Sequence, residues 1–162
     1  MASVEKNLAK MGITLPEPSV PLAAYVPFVQ TGNQLFVSGQ LPLGMDPMPK
    51  GPLKGADHAD GAPAPGSALA SAQLAARQCA INLLSQAKAA TGDLGKIKQV
   101  VKLVGFVASA ADFNQQPLVV NGASELMQAA FGDAGKHARS AVGVAALPMG
   151  VVVEVEAVFE IG

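Results

Sequence analysis

The residue types best able to do chemistry gather near the C-terminal end of the chain. Arginine occurs only as Arg77 and Arg139. Arg139 opens the run Arg139-Ser140-Ala141-Val142-Gly143-Val144, and beyond Leu147-Pro148-Met149-Gly150 a second run places Glu154, Glu156 and Glu160 among Val151, Val153, Val155, Ala157, Phe159 and Ile161. The planar arginine fork matches a carboxylate bidentately, which lysine cannot do. A carboxylate beside it can orient a water or take its proton. Two readings follow from the pattern: a cross-strand salt bridge between Arg139 and Glu156, or a site for a small ligand bearing a carboxylate.

Both runs alternate with the period of a strand, in which successive side chains point to opposite faces. Taken as a hairpin across residues 147–150, they predict Val142 and Val144 beside Val153 and Val155 in the core. That parity puts Arg139, Ala141, Gly143, Glu154 and Glu156 together on the other face, and a one-residue slip would reverse every position. The small side chains between the charges leave room for a ligand or a neighbouring subunit.

Other reactive residue types carry less. Cys79 lies on an apolar helical stripe and is expected to be a packed core thiol. As the only cysteine it excludes an internal disulfide and suits a reducing cytoplasm, the expected compartment. His58 and His137 have no second His or Cys at ligand spacing, so no metal site is expected, and His137 is read as a solvated residue just ahead of the strand. The glycines of residues 51–66 lack the lysine and hydroxyl of a phosphate loop. Lys96, Lys98 and Lys102 form a small basic cluster, read as a solvated helix-to-strand junction. A net charge of −1 gives no global field to draw in nucleic acid or an anionic membrane. No uncharged apolar run reaches bilayer length, and Glu5 and Lys6 stand where a signal peptide needs its apolar stretch.

The elements that must position these residues can be read along the chain. At 162 residues a single domain is expected. Ser3 can cap a short helix to about Met11, stopped by Gly12. Two strands, Phe28-Val29-Gln30 and Leu35-Phe36-Val37-Ser38, flank the turn Thr31-Gly32-Asn33-Gln34. Residues 42–66 have no periodicity and predict a surface loop near the mouth of a cleft. Ser67 opens the longest helix, where Leu69, Ala72, Ala76, Cys79, Leu83, Ala87 and Ala90 form one stripe, and Gly92 ends it. Residues 99–109 read as a central strand, and residues 118–131 as a second helix. The order ββ-α-β-α-ββ predicts an α+β sheet with helices on one face. Other subunits would have to cover the opposite face.

Here the residues carry a resemblance. The segment Ala138-Arg139-Ser140-Ala141-Val142-Gly143-Val144-Ala145-Ala146-Leu147-Pro148, followed by Val153-Glu154-Val155-Glu156, is similar to the signature of the RidA/YjgF family, whose members are also called L-PSP endoribonucleases. Gly32-Asn33 leading into Phe36-Val37-Ser38-Gly39-Gln40, then Val100-Val101-Lys102, then Asn121, resemble further blocks. The resemblance runs from about Tyr25 onward. It implies a chorismate-mutase-like mixed sheet with two main helices on one face, assembled as a homotrimer with clefts between subunits. It also implies cofactor-independent hydrolysis of 2-imino or enamino acids, such as 2-iminopropanoate, to 2-keto acids and ammonia. Carried over by position, Arg139 grips the substrate carboxylate, Glu154 holds the attacking water, and Tyr25, Ser38 and Asn121 line the pocket. The chain departs from the family pattern at Ala141, where many members have cysteine. Its loop at residues 42–66 is longer than in the short members, and residues 113–120 are expanded.

Two other functions fit the same residues: a non-catalytic sensor of keto acids, and an endoribonuclease. Against the second stand one tyrosine, no tryptophan and no basic stripe. The homotrimer is checked directly. Light scattering at micromolar concentration is expected to give three times the chain mass, and a monomer or dimer mass would exclude it.

Overall fold

In the computed structural model of the chain, residues 4–21, 23–55 and 63–162 are described; the expected cap Ser3, and His58, lie outside them. Ser67 caps the longest helix as the pattern predicts, its Oγ accepting from the Ala70 amide at 3.1 Å. This helix, α2 (Ala68–Thr91), follows the short α1 (Val4–Lys10) and ends at Gly92, whose φ of 76° is left-handed. Leu69, Ala72, Ala76, Cys79, Leu83 and Ala87 along its stripe are all fully buried. The second main helix, α3 (Gln116–Phe131), begins slightly earlier than the apolar spacing suggests, with Pro117 in its first turn.

The two helices pack closely because a glycine lets them. A Cβ built on Gly122 would lie 2.0 Å from the Gln73 carbonyl oxygen, so any larger side chain there would force the helices apart. The Gln73 side chain also crosses the interface, donating from Nε2 to the Leu118 carbonyl at 2.8 Å.

Beneath the helices lies one sheet of five strands: β1 (Phe28–Thr31), β2 (Gln34–Gln40), β3 (Ile97–Ala108), β4 (Ala138–Val144) and β5 (Val153–Ile161). Their spatial order is β1-β2-β5-β3-β4. Both β1–β2 and β2–β5 are antiparallel, as is β5–β3, whereas β3 and β4 are parallel. Parallel neighbours need a crossover, and α3 supplies it. This is the α+β architecture, with both main helices on one face, that the element order predicts.

One expectation is overturned. β4 and β5 do not form a hairpin, because β3 lies between them. The connection runs past the end of β3, whose Ser109 amide donates to Val144 and whose Ala108 amide donates to Val152, each at 2.9 Å. The register places Leu103 beside Arg139, Gly105 beside Ala141 and Val107 beside Gly143. Leu103 and Val107 are fully buried, so Arg139, Ala141 and Gly143 share the helix-covered face. Val142 and Val144 pair with Phe106 and Ala108 instead. Val142 is 43% exposed on the open face rather than packed in the core. On β5 the alternation reads correctly: Val153, Val155, Ala157 and Phe159 are buried, and Glu154 and Glu156 sit beside Phe106 and Val104 on the open face. Arg139 and Glu154 therefore lie on opposite faces of one sheet, and the cross-strand Arg139–Glu156 pair cannot form within a protomer.

A second correction concerns residues 42–66. Rather than lying wholly at the surface, part of this segment is tied to the strand ends. Val152 donates to Pro49 at 3.0 Å, Gly51 to Gly150 at 3.1 Å, and Leu53 to Ala108 at 2.8 Å. Leu53 is 6% exposed and belongs to the core cluster. Backbone bonding holds in place an apolar anchor that composition alone underrates. Leu53→Ala is expected to lower stability by about 2–5 kcal/mol, read as a lower urea midpoint with an unchanged slope.

Candidate functional site

The strand register creates two polar sites on opposite faces of the protomer. The first is built on β4 and α3. Arg139 is half-buried under α3, and its Nη1 donates to Asn121 Oδ1 at 2.8 Å and to Ser124 Oγ at 3.1 Å. Asn121 and Ser124 share a helix face by their i, i+3 spacing. Both protons of Nη1 are thus engaged, and the Nε–Nη2 edge of the guanidinium, itself a two-donor fork, is left to meet a carboxylate. A cavity of about 430 Å³ opens here, lined by Asn121, Ser124, Glu125, Gln128, His137 and Arg139.

His137 is a half-buried part of this site, not the solvated residue its position suggested. Its Nε2 lies 3.0 Å from Ser124 Oγ and its Nδ1 lies 2.6 Å from the Gly135 carbonyl. Burial, reinforced by the Arg139 charge, lowers its pKa below the usual histidine value, although the Gly135 bond pulls the other way. The sequence pattern does not single out Ser124, and it places His137 within reach of the cleft but reads it as solvated. The i, i+3 spacing of Asn121 and Ser124 was the available signal for the serine, but nothing local ties His137 to α3.

The second site opens on the other face, where β2 and β5 meet the segment leading into β1. Its cavity, about 480 Å³, is lined chiefly by apolar groups including Val20, Pro21, Leu41, Leu43 and Met149, with Tyr25, Gln40 and Glu154 among them. Glu154 is half-buried. Desolvation first, and the neighbouring Glu156 charge second, raise its pKa above the usual glutamate value. Its carboxylate lies against Gly39: a Cβ built there would sit 2.0 Å from Glu154 Oε1. The β2–β5 register shifts between Val37 and Gln40, which sets Ser38 and Gly39 in an irregularity beside the carboxylate. Ser38 Oγ donates to the Val26 carbonyl at 2.8 Å, fixing the segment that carries Tyr25.

The structure thus brings Arg139 together with Asn121, and Glu154 together with Tyr25, with Ser38 alongside. Within one protomer the two groups remain apart. Cys79 is fully buried, as its stripe predicts, and its thiol pKa is raised by burial and by the charge of Glu154. Lys96, Lys98 and Lys102 are exposed, and no helix of the described residues is long and apolar enough to cross a membrane.

This arrangement of sheet and helices is the chorismate-mutase-like one, and residues 5–161 match the family described as "YjgF/chorismate_mutase-like, putative endoribonuclease". The chain belongs to that family. It is 45% identical over 159 residues to Protein TCP17 of Trypanosoma cruzi, covering 98% of this chain and 94% of that one. Among solved structures it is similar to the protein Atu1372 of Agrobacterium tumefaciens, at 46% identity and a TM-score of 0.80 over 98% of this chain and 92% of that one. It is also similar to RidA of Psychrobacter sp. PAMC 21119, at 28% identity and a TM-score of 0.57, covering 92% and 97% of the two chains.

The raised pKa of Glu154 has a consequence for stability. A carboxyl that binds its proton more tightly when folded lends stability below its unfolded pKa, and this is lost as pH rises through the folded value. Ionised Glu154 is therefore a burden on the fold at neutral pH. Glu154→Gln is expected to raise the urea midpoint at pH 7, and this advantage should shrink as pH is brought below 4.5, the unshifted glutamate value. An equal advantage at both pH values would show that the substitution acts through packing.

Proposed function

We propose that the protein is a cofactor-independent deaminase of 2-imino acids, working as a homotrimer in clefts where the Arg139 site of one subunit meets the Glu154 site of its neighbour. The observation that carries this reading is the split site. An arginine pinned through Nη1 presents an open fork on one face, and a half-buried carboxylate waits in a largely apolar cavity on the other. Neither has a counter-ion among the described residues, and a symmetric assembly can join two different surfaces of one chain head to tail in a closed ring. The open sheet face carries exposed Val29, Phe36 and Val142, apolar surface suited to burial by a second subunit.

In such a cleft the chemistry needs little beyond placement. Arg139 binds the substrate carboxylate bidentately, with Asn121 steadying the guanidinium, while Tyr25, Ser38 and Gly39 shape the opposite wall. Glu154 holds a water against the imine carbon. Water adds to that carbon to give a carbinolamine, the C–N bond breaks with proton transfer to nitrogen, and the 2-keto acid and ammonia leave. A raised pKa suits Glu154 to accept the water proton and return it to the departing nitrogen. Positioning two reactants supplies much of the barrier reduction for an already polarised imine. Endoribonuclease activity, which the family description names, finds less support here: the net charge is −1 and the chain has one tyrosine and no tryptophan for base stacking.

Ammonia release from freshly generated imino acids tests the proposal. Arg139→Ala should lose about 2–5 kcal/mol of ligand binding together with turnover. Glu154→Gln should keep binding and slow turnover by roughly 10²–10⁴. Binding abolished by Arg139→Ala, with no wild-type turnover of any imino acid, would instead make the protein a keto-acid sensor. RNA cleavage that co-purifies with the protein and disappears in Arg139→Ala would favour the ribonuclease.

A further inference from the structure

Ser124 has a choice of partners that other helical hydroxyls in this chain resolve differently. Ser85 Oγ donates to the Ile81 carbonyl at 3.2 Å and Thr91 Oγ1 to the Ala87 carbonyl at 2.8 Å, each bonding back to the preceding turn. Ser124, only 7% exposed, instead has Arg139 Nη1 at 3.1 Å and His137 Nε2 at 3.0 Å. The direction of these bonds follows from the two ends. Guanidinium N–H groups can only donate, so Ser124 Oγ accepts from Arg139. At the other end the Gly135 carbonyl can only accept, so Nδ1 of His137 carries the proton and Nε2 of the neutral ring is left as an acceptor. The single Ser124 proton therefore goes to Nε2.

We propose that Ser124 and His137 are positioning residues for Arg139: the neutral imidazole aims the serine proton away from the guanidinium, so that the serine lone pair holds Nη1 and the Nε–Nη2 edge faces the ligand. This inference rests on the reading of Arg139 as the carboxylate anchor. A chain of bonds running Arg139 to Ser124 to His137 to the Gly135 carbonyl ties a flexible four-bond side chain to the backbone just before β4. Without it, Asn121 alone would hold Nη1, and the guanidinium could rotate its fork off the cavity. Protonation of His137 would break the polarity of the chain, since Nε2 would then donate to an oxygen already accepting from Arg139. The groups around the ring oppose that protonation on balance. Arg139 from β4 repels a second positive charge and burial removes water. Glu125 of α3, which lines the same cavity, and the exposed Lys136–Asp133 pair are the other charged groups nearby.

The test separates this inference from the reading on which it rests. Nitrogen-15 NMR of the wild type should show His137 as the Nδ1–H tautomer at neutral pH and a motionally restricted Arg139 Nε–H. In Ser124→Ala and in His137→Leu that arginine signal should become mobile, and binding of 2-oxobutanoate should weaken about tenfold, as for loss of one bond to a charged group. Turnover at saturation should be far less affected than KM. His137→Gln, whose side-chain carbonyl can accept from Ser124 and whose amide can donate, should restore both the restricted signal and the affinity. Arg139 equally restricted in wild type, Ser124→Ala and His137→Leu would overturn the inference, whatever the protein binds. Restricted dynamics that respond as expected, with no wild-type binding of 2-oxobutanoate, would uphold the positioning chain and count against the deaminase reading.

Discussion

Strand β3 separates β4 from β5, and the placement of Arg139, Glu154 and Glu156 depends on that insertion. In a pleated sheet the side chains opposite one another on adjacent strands share a face. Fixing Leu103 and Val107 beneath the helices therefore fixes Arg139 and Gly143 there too, through the parallel β3–β4 register. The antiparallel register on the other side of β3 sends Glu154 and Glu156 to the open face beside Phe106 and Val104. One central strand thus distributes an arginine and a carboxylate to opposite surfaces. The helix-face crowding that enforces the register is severe: a Cβ on Gly105 would lie 2.3 Å from Val120 Cγ2, so α3 rests directly on this part of the sheet.

That division leaves the two charged groups without each other within the chain. Arg139 lies on an edge strand, where its site opens sideways beside α3, and edge strands are where a sheet meets other chains. Glu154 lies in a cavity whose far wall is formed by the segment before β1, held by the bond from Ser38 Oγ to Val26. Keeping the two charges on opposite faces also rules out an intramolecular salt bridge between them. Unpaired charge withdrawn from water is costly. The raised pKa of Glu154 is a local sign of that cost.

How much of this was legible in the sequence follows from the range of each interaction. The helix stripe from Leu69 to Ala87, its Ser67 cap and the Gly92 stop are encoded within a turn or two, and the structure has them as read. The alternation along β5 is equally local, so Glu154 was correctly separated from Val153 and Val155. Side-chain parity between strands is different, because it requires knowing the neighbour. Adjacent runs joined by Leu147-Pro148-Met149-Gly150 resemble a hairpin, and nothing in them records that residues 97–108 intervene. The resulting error moved Arg139 to the wrong face and buried Val142, which is exposed. The family signature survives it, since a motif identifies residues without saying which surface each one occupies. Leu53 was missed for a related reason: its neighbours are Pro, Gly and Lys, and only the backbone bond to Ala108 reveals that it docks in the core.

The same contrast of range explains why Asn121 was recoverable and His137 was not. Asn121 stands in a helix whose apolar face was already assigned, and the family pattern marks it. His137 acquires its role from two non-local facts, the turn that brings the Gly135 carbonyl to Nδ1 and the helix that presents Ser124 to Nε2. Those contacts draw a residue type that is usually solvated near a strand start into a half-buried, hydrogen-bonded position. They also give Arg139 support drawn from two elements other than its own strand: α3 and the turn before β4. On the proposed function, a fork held that way would have little rotational freedom left to lose on binding a carboxylate, leaving more of the binding free energy as affinity. Arg139 and Glu154 are thus prepared by different means. Hydrogen bonds immobilise the arginine, whereas close packing against Gly39 and removal of water tune the glutamate.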